Sequence, residues 1–164
     1  VEKIKVETFH EAKRLASIPT NTETEQYSLP FSVAAAVVRG TIGLSEVTSD
    51  GLNDPQIITL AKSVEIVEDD AFNAAFPARR FARTQFHLKD GRVLTSDPTE
   101  ARGDPEAKLS DQTIWDKFHT LTAPVMGSDW SNQFLSNART IADAPSVMSL
   151  FGMMNIVQVR KGKK

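Results

Sequence analysis

Three histidines, one unbroken acidic run and a cluster of arginines are the side chains in this chain whose types could do chemistry. His10 ends a stretch of strand pattern, His87 lies on the polar side of another, and His119 falls in a helical stretch. That spacing resembles no metal site. Glu68-Asp69-Asp70 could bind a cation or move protons, but an unbroken acidic run at a strand end is more often solvated surface. Arg79, Arg80 and Arg83 could grip an anion through their guanidinium forks. On the exposed side of an edge strand, the competing reading, they would discourage unwanted pairing. The chain has no cysteine, so it has no thiol nucleophile, disulfide or Cys-based zinc site. Its sequence holds no Ser-His-Asp order, GxGxxG or phosphate loop, and Arg102-Gly103-Asp104-Pro105 supplies only one glycine in a turn.

A different kind of feature runs from Glu25 to Gly40, where a polar entry bearing Tyr27 leads into a small-residue apolar stretch. Pro30 suits the first turn of a helix, because its missing N–H would be unpaired there anyway. Ser28, just ahead, is placed to be its N-cap. Gly40 can take the left-handed position that ends a helix. Phe31, Ala34, Ala35 and Val38 share one face while Val33 and Val37 cover much of the rest, so little of this helix is expected to face water. Its polar doorstep then sits at the rim of a core.

The elements that would carry these groups can be read from period and punctuation. Ile4 and Val6 alternate with Lys3, Lys5 and Glu7, which predicts a half-buried strand over Val1 to Phe9. Ile18 to Glu25 reads as a polar loop, and Ile42 to Asp54 as a short helical turn and loop. Asp54-Pro55 opens a helix, with Ile57, Ile58, Ala61 and Val64 as the stripe behind it, ending near Lys62. Ser63 to Glu68 alternates again as a second strand, and Phe72 and Phe76 mark one or two helical turns that Pro77 ends. Arg80 to Lys89 pairs with Arg92 to Thr95 through the turn signal Asp90-Gly91. After a loop from Asp97 to Lys108, Ser110 caps a helix carrying Ile114, Trp115, Phe118 and Leu121 that ends near Pro124. Ser128 or Asp129 caps another, carrying Trp130, Phe134, Leu135, Ala138 and Ile141.

The predicted class is therefore α+β: a small, mainly antiparallel sheet of four strands with helices on one face over 1–109, then C-terminal helices over 110–164 that need another partner. At 164 residues with 40% hydrophobic content, the chain can bury a good core. A net charge of −2 gives no footprint for nucleic acid. The one basic cluster, Arg160-Lys161-Gly162-Lys163-Lys164, reads as a frayed tail. No apolar run is long enough to span a bilayer, so the expectation is a soluble, cytoplasmic protein without a membrane partner. Strand pattern already at Val1 suggests a piece of something longer.

Several motifs in succession carry a resemblance. They are Gln26-Tyr27-Ser28-Leu29-Pro30-Phe31 with its Ala/Val helix and Gly40, then Asp54-Pro55 with Ile57, and the hairpin Phe86-His87-Leu88-Lys89-Asp90-Gly91. Gly103-Asp104-Pro105 and Leu109-Ser110 follow, ahead of Lys117-Phe118. Each motif is weak alone, but in this order and spacing they resemble the C-terminal part of the MmgE/PrpD family, which includes 2-methylcitrate dehydratase, cis-aconitate decarboxylase and iminodisuccinate epimerase.

The resemblance implies a two-domain enzyme, a homodimer, in which a large helical domain carries most of the active site and a small α+β domain closes over it as a lid. It also implies chemistry without metal or organic cofactor: a proton or carbon dioxide leaves from beside a carboxylate, and fixed donors stabilise the resulting charge. The main catalytic groups would then lie upstream of residue 1. The family's aromatic at the end of the helix-entry motif is commonly a tyrosine able to donate a hydrogen bond; here it is Phe31. Either Phe31 only packs and Tyr27 or Ser28 supplies a hydroxyl, or the substrate is handled without that donor. Gln26, Tyr27, Ser28 and Phe31 are thus the candidate contacts to a small carboxylic acid. The competing readings are a plain N-cap for Ser28 and a packing contact for Tyr27. A non-catalytic binding or dimerisation module is the alternative for the whole chain.

Overall fold

A computed structural model describes residues 1–154, which fall into two compact units, Val1–Ala107 and a helical unit beginning at Lys108. The basic cluster at 160–164 lies outside the described residues.

The first unit is built on a sheet. Strand β1 (Lys3–Thr8) pairs in parallel with β2 (Val64–Glu68) and antiparallel with β3 (Phe81–His87), and β3 pairs in turn with β4 (Val93–Thr95) and the short β5 (Thr99–Glu100). The order is β2-β1-β3-β4, with β5 also on β3. The fold is thus a mostly antiparallel α+β sheet with one parallel pair. The alternation in β1 puts Ile4 and Val6 on one face, where they are sealed together with Ile66 of β2. Lys5 and Glu7 point to the other face.

Between β1 and β2 the chain makes a 3-10 turn (His10–Leu15), α1 (Thr22–Glu25), α2 (Leu29–Arg39), α3 (Ser49–Leu52) and α4 (Pro55–Ala61). Helix α2 packs on β2 and on α4. Phe31, Ala34 and Ala35 close with Ile57 and Ala61 into an apolar cluster. Both helices start as their sequences dictate: Ser28 Oγ accepts from Phe31 N, and Asp54 Oδ1 accepts from Gln56 N at 2.8 Å. Gly40 ends α2 with φ of 76°, a left-handed conformation that costs glycine no Cβ clash. Helix α2 is amphipathic, however. Ala36 and Val37 are exposed, so the expectation that little of it would face water does not hold. One apolar face suffices to fasten it, and alanine and valine carry no polar group that would mark the open side.

Three further readings are corrected in this unit. The segment Ile18 to Glu25 is not all loop, because Asn21 caps α1 by a reciprocal box with Thr24. His10 does not end the strand but opens the 3-10 turn. The loop after Asp97 contributes β5, whose Glu100 lies opposite Phe81. Helix α5 (Asp70–Ala75) and the turn at Asp90-Gly91, where Gly91 has φ of 86°, stand where the sequence places them.

The helical unit contains α6 (Asp111–Met126), α7 (Ser128–Arg139), a 3-10 turn (Ile141–Asp143) and α8 (Met148–Met154). Ser110 caps α6 through Thr113 N. The helix runs two residues past Pro124, whose ring costs one backbone bond without stopping the turn that closes from Gly127 N to Ala123 O. Gly127, not Ser128 or Asp129, is the N-cap of α7 and makes no side-chain cap. Trp130 stacks on Phe134 with ring centroids 4.9 Å apart, and Phe134 on Phe118 at 5.4 Å. Arg139 lies over the Trp115 ring. Among the described residues of this unit, Ser131 alone is fully buried, its hydroxyl bonded to Thr122 and to Gly127 O.

Candidate functional site

The helix entry places its four candidate residues in two different environments. Gln26 and Tyr27 project to solvent, Tyr27 with 63% of its surface exposed. Ser28 and Phe31 are buried. Residues 24–28 form a tight corner between α1 and α2, in which Tyr27 N donates to Thr24 O at 3.3 Å and Ser28 N donates to Glu25 O at 2.9 Å. The corner forms because α1 is too short to satisfy its backbone groups internally, and its last carbonyls are met by the residues that lead into the next helix.

The Ser28 hydroxyl is fully committed. It donates to Ser17 O at 2.6 Å and accepts from Phe31 N at 3.2 Å, tying the preceding loop to the head of α2. Phe31, with no exposed surface, sits against alanines and Ile57. The Tyr27 hydroxyl has no partner among the described residues, so of the two hydroxyls it is the one available to a ligand. The rim thus offers an amide and a phenol as hydrogen-bond groups, and neither can abstract a proton from carbon at neutral pH.

Glu25, in the same corner, is not marked by type or spacing in the sequence. The residue is 3% exposed, and its carboxylate, which makes no hydrogen bond or ion pair with the described residues, keeps its oxygens in reach of solvent. Burial pushes its carboxyl above the ordinary carboxylate range. The signal that could have exposed it is the capping pattern Asn21 to Thr24, which puts Glu25 on a helix instead of in a solvated loop.

The arginines and the acidic run meet elsewhere. Strand β3 is interior, not an edge, so the reading of Arg79, Arg80 and Arg83 as edge-strand guards is overturned. Cross-strand register sets Arg83 opposite Glu7. Arg83 Nε donates to Glu7 Oε2 at 2.5 Å, and a second guanidinium nitrogen lies 3.3 Å from Asp69. Lys5 Nζ is 2.8 Å from the other Glu7 oxygen. Lys5 and Arg83 together hold the Glu7 carboxyl below its ordinary range. Asp69 also caps α5 through Ala71 N and Phe72 N, and Glu68 engages Lys13 at 3.2 Å. Within the acidic run, Glu68 and Asp69 thus serve pairing and capping, while Asp70 is exposed as a solvated surface residue. Arg79 forms a two-pronged pair with Glu100. Arg79 and Arg83 each already hold a carboxylate, which leaves neither fork open for an anion.

No group of three or more His, Asp or Glu side chains suited to a metal ion occurs among the described residues. An open groove of about 860 Å³ runs along Val37, Val38, Pro55, Thr59 and Leu60, with Lys89 on its edge. It borders the far end of α2, roughly 12 Å of helix from the rim, and Glu2 and Lys89 are its charged lining residues.

An α+β sheet unit with a helix-entry rim, followed by a helical unit, is the class these features define. Residues 1–141 match the family described as MmgE/PrpD C-terminal domain, and the chain belongs to this family. The match spans the whole sheet unit and continues through α6 and α7. No curated protein matches the chain significantly.

Proposed function

We propose that the chain is the lid and C-terminal part of a cofactor-independent MmgE/PrpD-type lyase or isomerase acting on small di- or tricarboxylic acids. The observation that carries this reading is the family match, and the character of the two units agrees with it. Gln26 and Tyr27, the exposed residues of the rim, can orient a substrate but cannot remove its proton, which fits a cover over catalytic groups supplied by another domain. In the helical unit Ile114, Val125, Met148 and Phe151 are each at least half exposed. Helices that bury no apolar side chain of their own gain stability by docking. A large helical domain of the same enzyme is the partner this reading assigns them, with a homodimer as the assembly. Tyr27 then supplies the hydroxyl that the family motif carries at the position of Phe31.

The test is turnover by the complete enzyme on a panel of small carboxylic acids, followed by proton NMR in heavy water. Dehydration gives a new olefin, decarboxylation a shortened acid, and epimerisation a deuterium beside the carboxylate. One of these is expected, and Tyr27→Phe should lower kcat on the order of 10²-fold, the usual cost of one lost donor. Binding without turnover would instead support a non-catalytic binding module.

A further inference from the structure

The two edges of the sheet are built differently. The β2 edge carries Glu65 and Glu68, both exposed, and charge on an edge strand discourages a further strand from pairing. The β4 edge carries no charge, proline or bulge from Val93 to Thr95. All three residues are exposed, Val93 at 50% and Leu94 at 51%. The register fixes which backbone groups remain open there. Leu88 N donates to Arg92 O and Ser96 N to Thr84 O, each at 2.9 Å, and the pair Phe86 and Leu94 lies midway between. Bonded pairs alternate along an antiparallel ladder, so Leu94 turns its backbone groups inward to β3 while Val93 and Thr95 turn theirs outward. The Leu94 side chain shares a face with Phe86 and Ile4, the apolar face of the sheet.

We propose that the β4 edge is the contact between two copies of this chain, paired antiparallel about a two-fold axis through Leu94. In that register Val93 of each copy exchanges backbone hydrogen bonds with Thr95 of the other, so the outward groups of both are satisfied. The two Leu94 side chains meet on the axis as the close, non-bonded pair. Pairing centred on Val93 would draw on Gly91, whose N–H is already given to Leu88 O. Pairing centred on Thr95 would run into Asp97 and Pro98. There the register against β3 slips by one residue between Thr95 and Thr99, and Pro98 has no N–H. The ends match in charge as well. Lys89 lies beyond one end of β4 and Asp97 beyond the other, both exposed and unpaired among the described residues. The two-fold sets the Lys89 end of each copy beside the Asp97 end of the other. A second copy thus brings the same leucine, the same outward groups and the opposite charge at each end, which makes the edge self-complementary. About four backbone hydrogen bonds and a leucine pair fall short of a standard interface of roughly 1,600 Å², so the pairing is reversible and depends on concentration.

The chain has no cysteine, so a single introduced one reports a single contact. In the proposed register the two copies of residue 94 stand about 4.5 Å apart at Cα, within the roughly 4.4–6.8 Å that a disulfide spans. The experiment oxidises the 164-residue chain carrying Leu94→Cys and, separately, Val125→Cys on the exposed side of α6, and follows covalent dimer on a denaturing gel. Leu94→Cys should cross-link on the order of tenfold faster, because pairing holds its two sulfurs at high effective concentration. Chains carrying Val93→Cys should likewise cross-link with chains carrying Thr95→Cys faster than either does with itself. In sedimentation of the Cys-free chain, Leu94→Lys should weaken dimerisation about tenfold, since it sets like charges directly opposite each other. Leu94 is half exposed, so the substitution spares the fold. Cross-linking of Leu94→Cys no faster than that of Val125→Cys overturns the proposal, as does a dimer that Leu94→Lys leaves unchanged. The inference concerns assembly alone. A dimer paired in this way in a protein that turns over no acid leaves it standing, while turnover by an enzyme lacking this contact removes it and leaves the lyase reading intact.

Discussion

Phe31 has no exposed surface and is enclosed by Ala34, Ala35, Ile57 and Ala61, so its ring contributes to the fold before anything else. Truncation by Phe31→Ala should cost about 3–5 kcal/mol, readable as a shift in the chemical denaturation midpoint. Phe31→Tyr adds a hydroxyl to a site walled by aliphatic carbon and should cost about 1–3 kcal/mol. A neutral Phe31→Tyr with raised turnover would mean that the ring reaches the substrate after all. Glu7 supplies a second prediction. Its carboxyl is held low by Lys5 and Arg83, so its stabilisation is present at neutral pH and disappears as pH falls from about 4.3 through the lower folded value. Glu7→Gln should therefore lower stability at pH 7 and flatten its decline in acid, as followed by thermal melts. Sequence alone marks Glu7 only as polar in a strand. Its pairing with Arg83, 76 residues away, depends on a register that no local pattern encodes.

At the scale of elements, the helix starts are the most legible features, because capping is chemistry among neighbours in sequence. Asp54→Ala removes the acceptor for Gln56 N and Ile57 N and the partner of Arg39, and should destabilise the sheet unit by about 1–2 kcal/mol in equilibrium unfolding. The capping of α2 by Ser28, its end at Gly40 and the Asp90-Gly91 hairpin are readable for the same reason. What escapes is set by distant partners. Strand β3 is charged on one side yet interior, since Glu7 and Asp69 neutralise Arg83 from other elements. Helix α6 outlasts Pro124 because a single lost bond near its end leaves the following turn intact. The rim is readable as a location but not as an environment. The split between exposed Tyr27 and occupied Ser28 depends on Ser17, eleven residues back.

For the whole molecule, the sheet needs the parallel β1–β2 pair, and the helices between those strands form the crossover that such pairing requires. Alternation reveals both strands but not their relative direction. No described helix is long and apolar enough to cross a membrane. Exposed apolar side chains after Lys108, and a rim whose exposed Gln26 and Tyr27 cannot remove a substrate proton, are what a chain that leaves catalysis to a partner domain would show. The most direct measurement is turnover of small di- and tricarboxylic acids in heavy water by the complete enzyme and by its Tyr27→Phe form. The predicted result is an olefin, a shortened acid or deuterium beside a carboxylate, formed much more slowly by Tyr27→Phe. No change in any acid at enzyme concentrations matching the substrate would contradict the assignment of this chain to a carboxylic-acid lyase or isomerase.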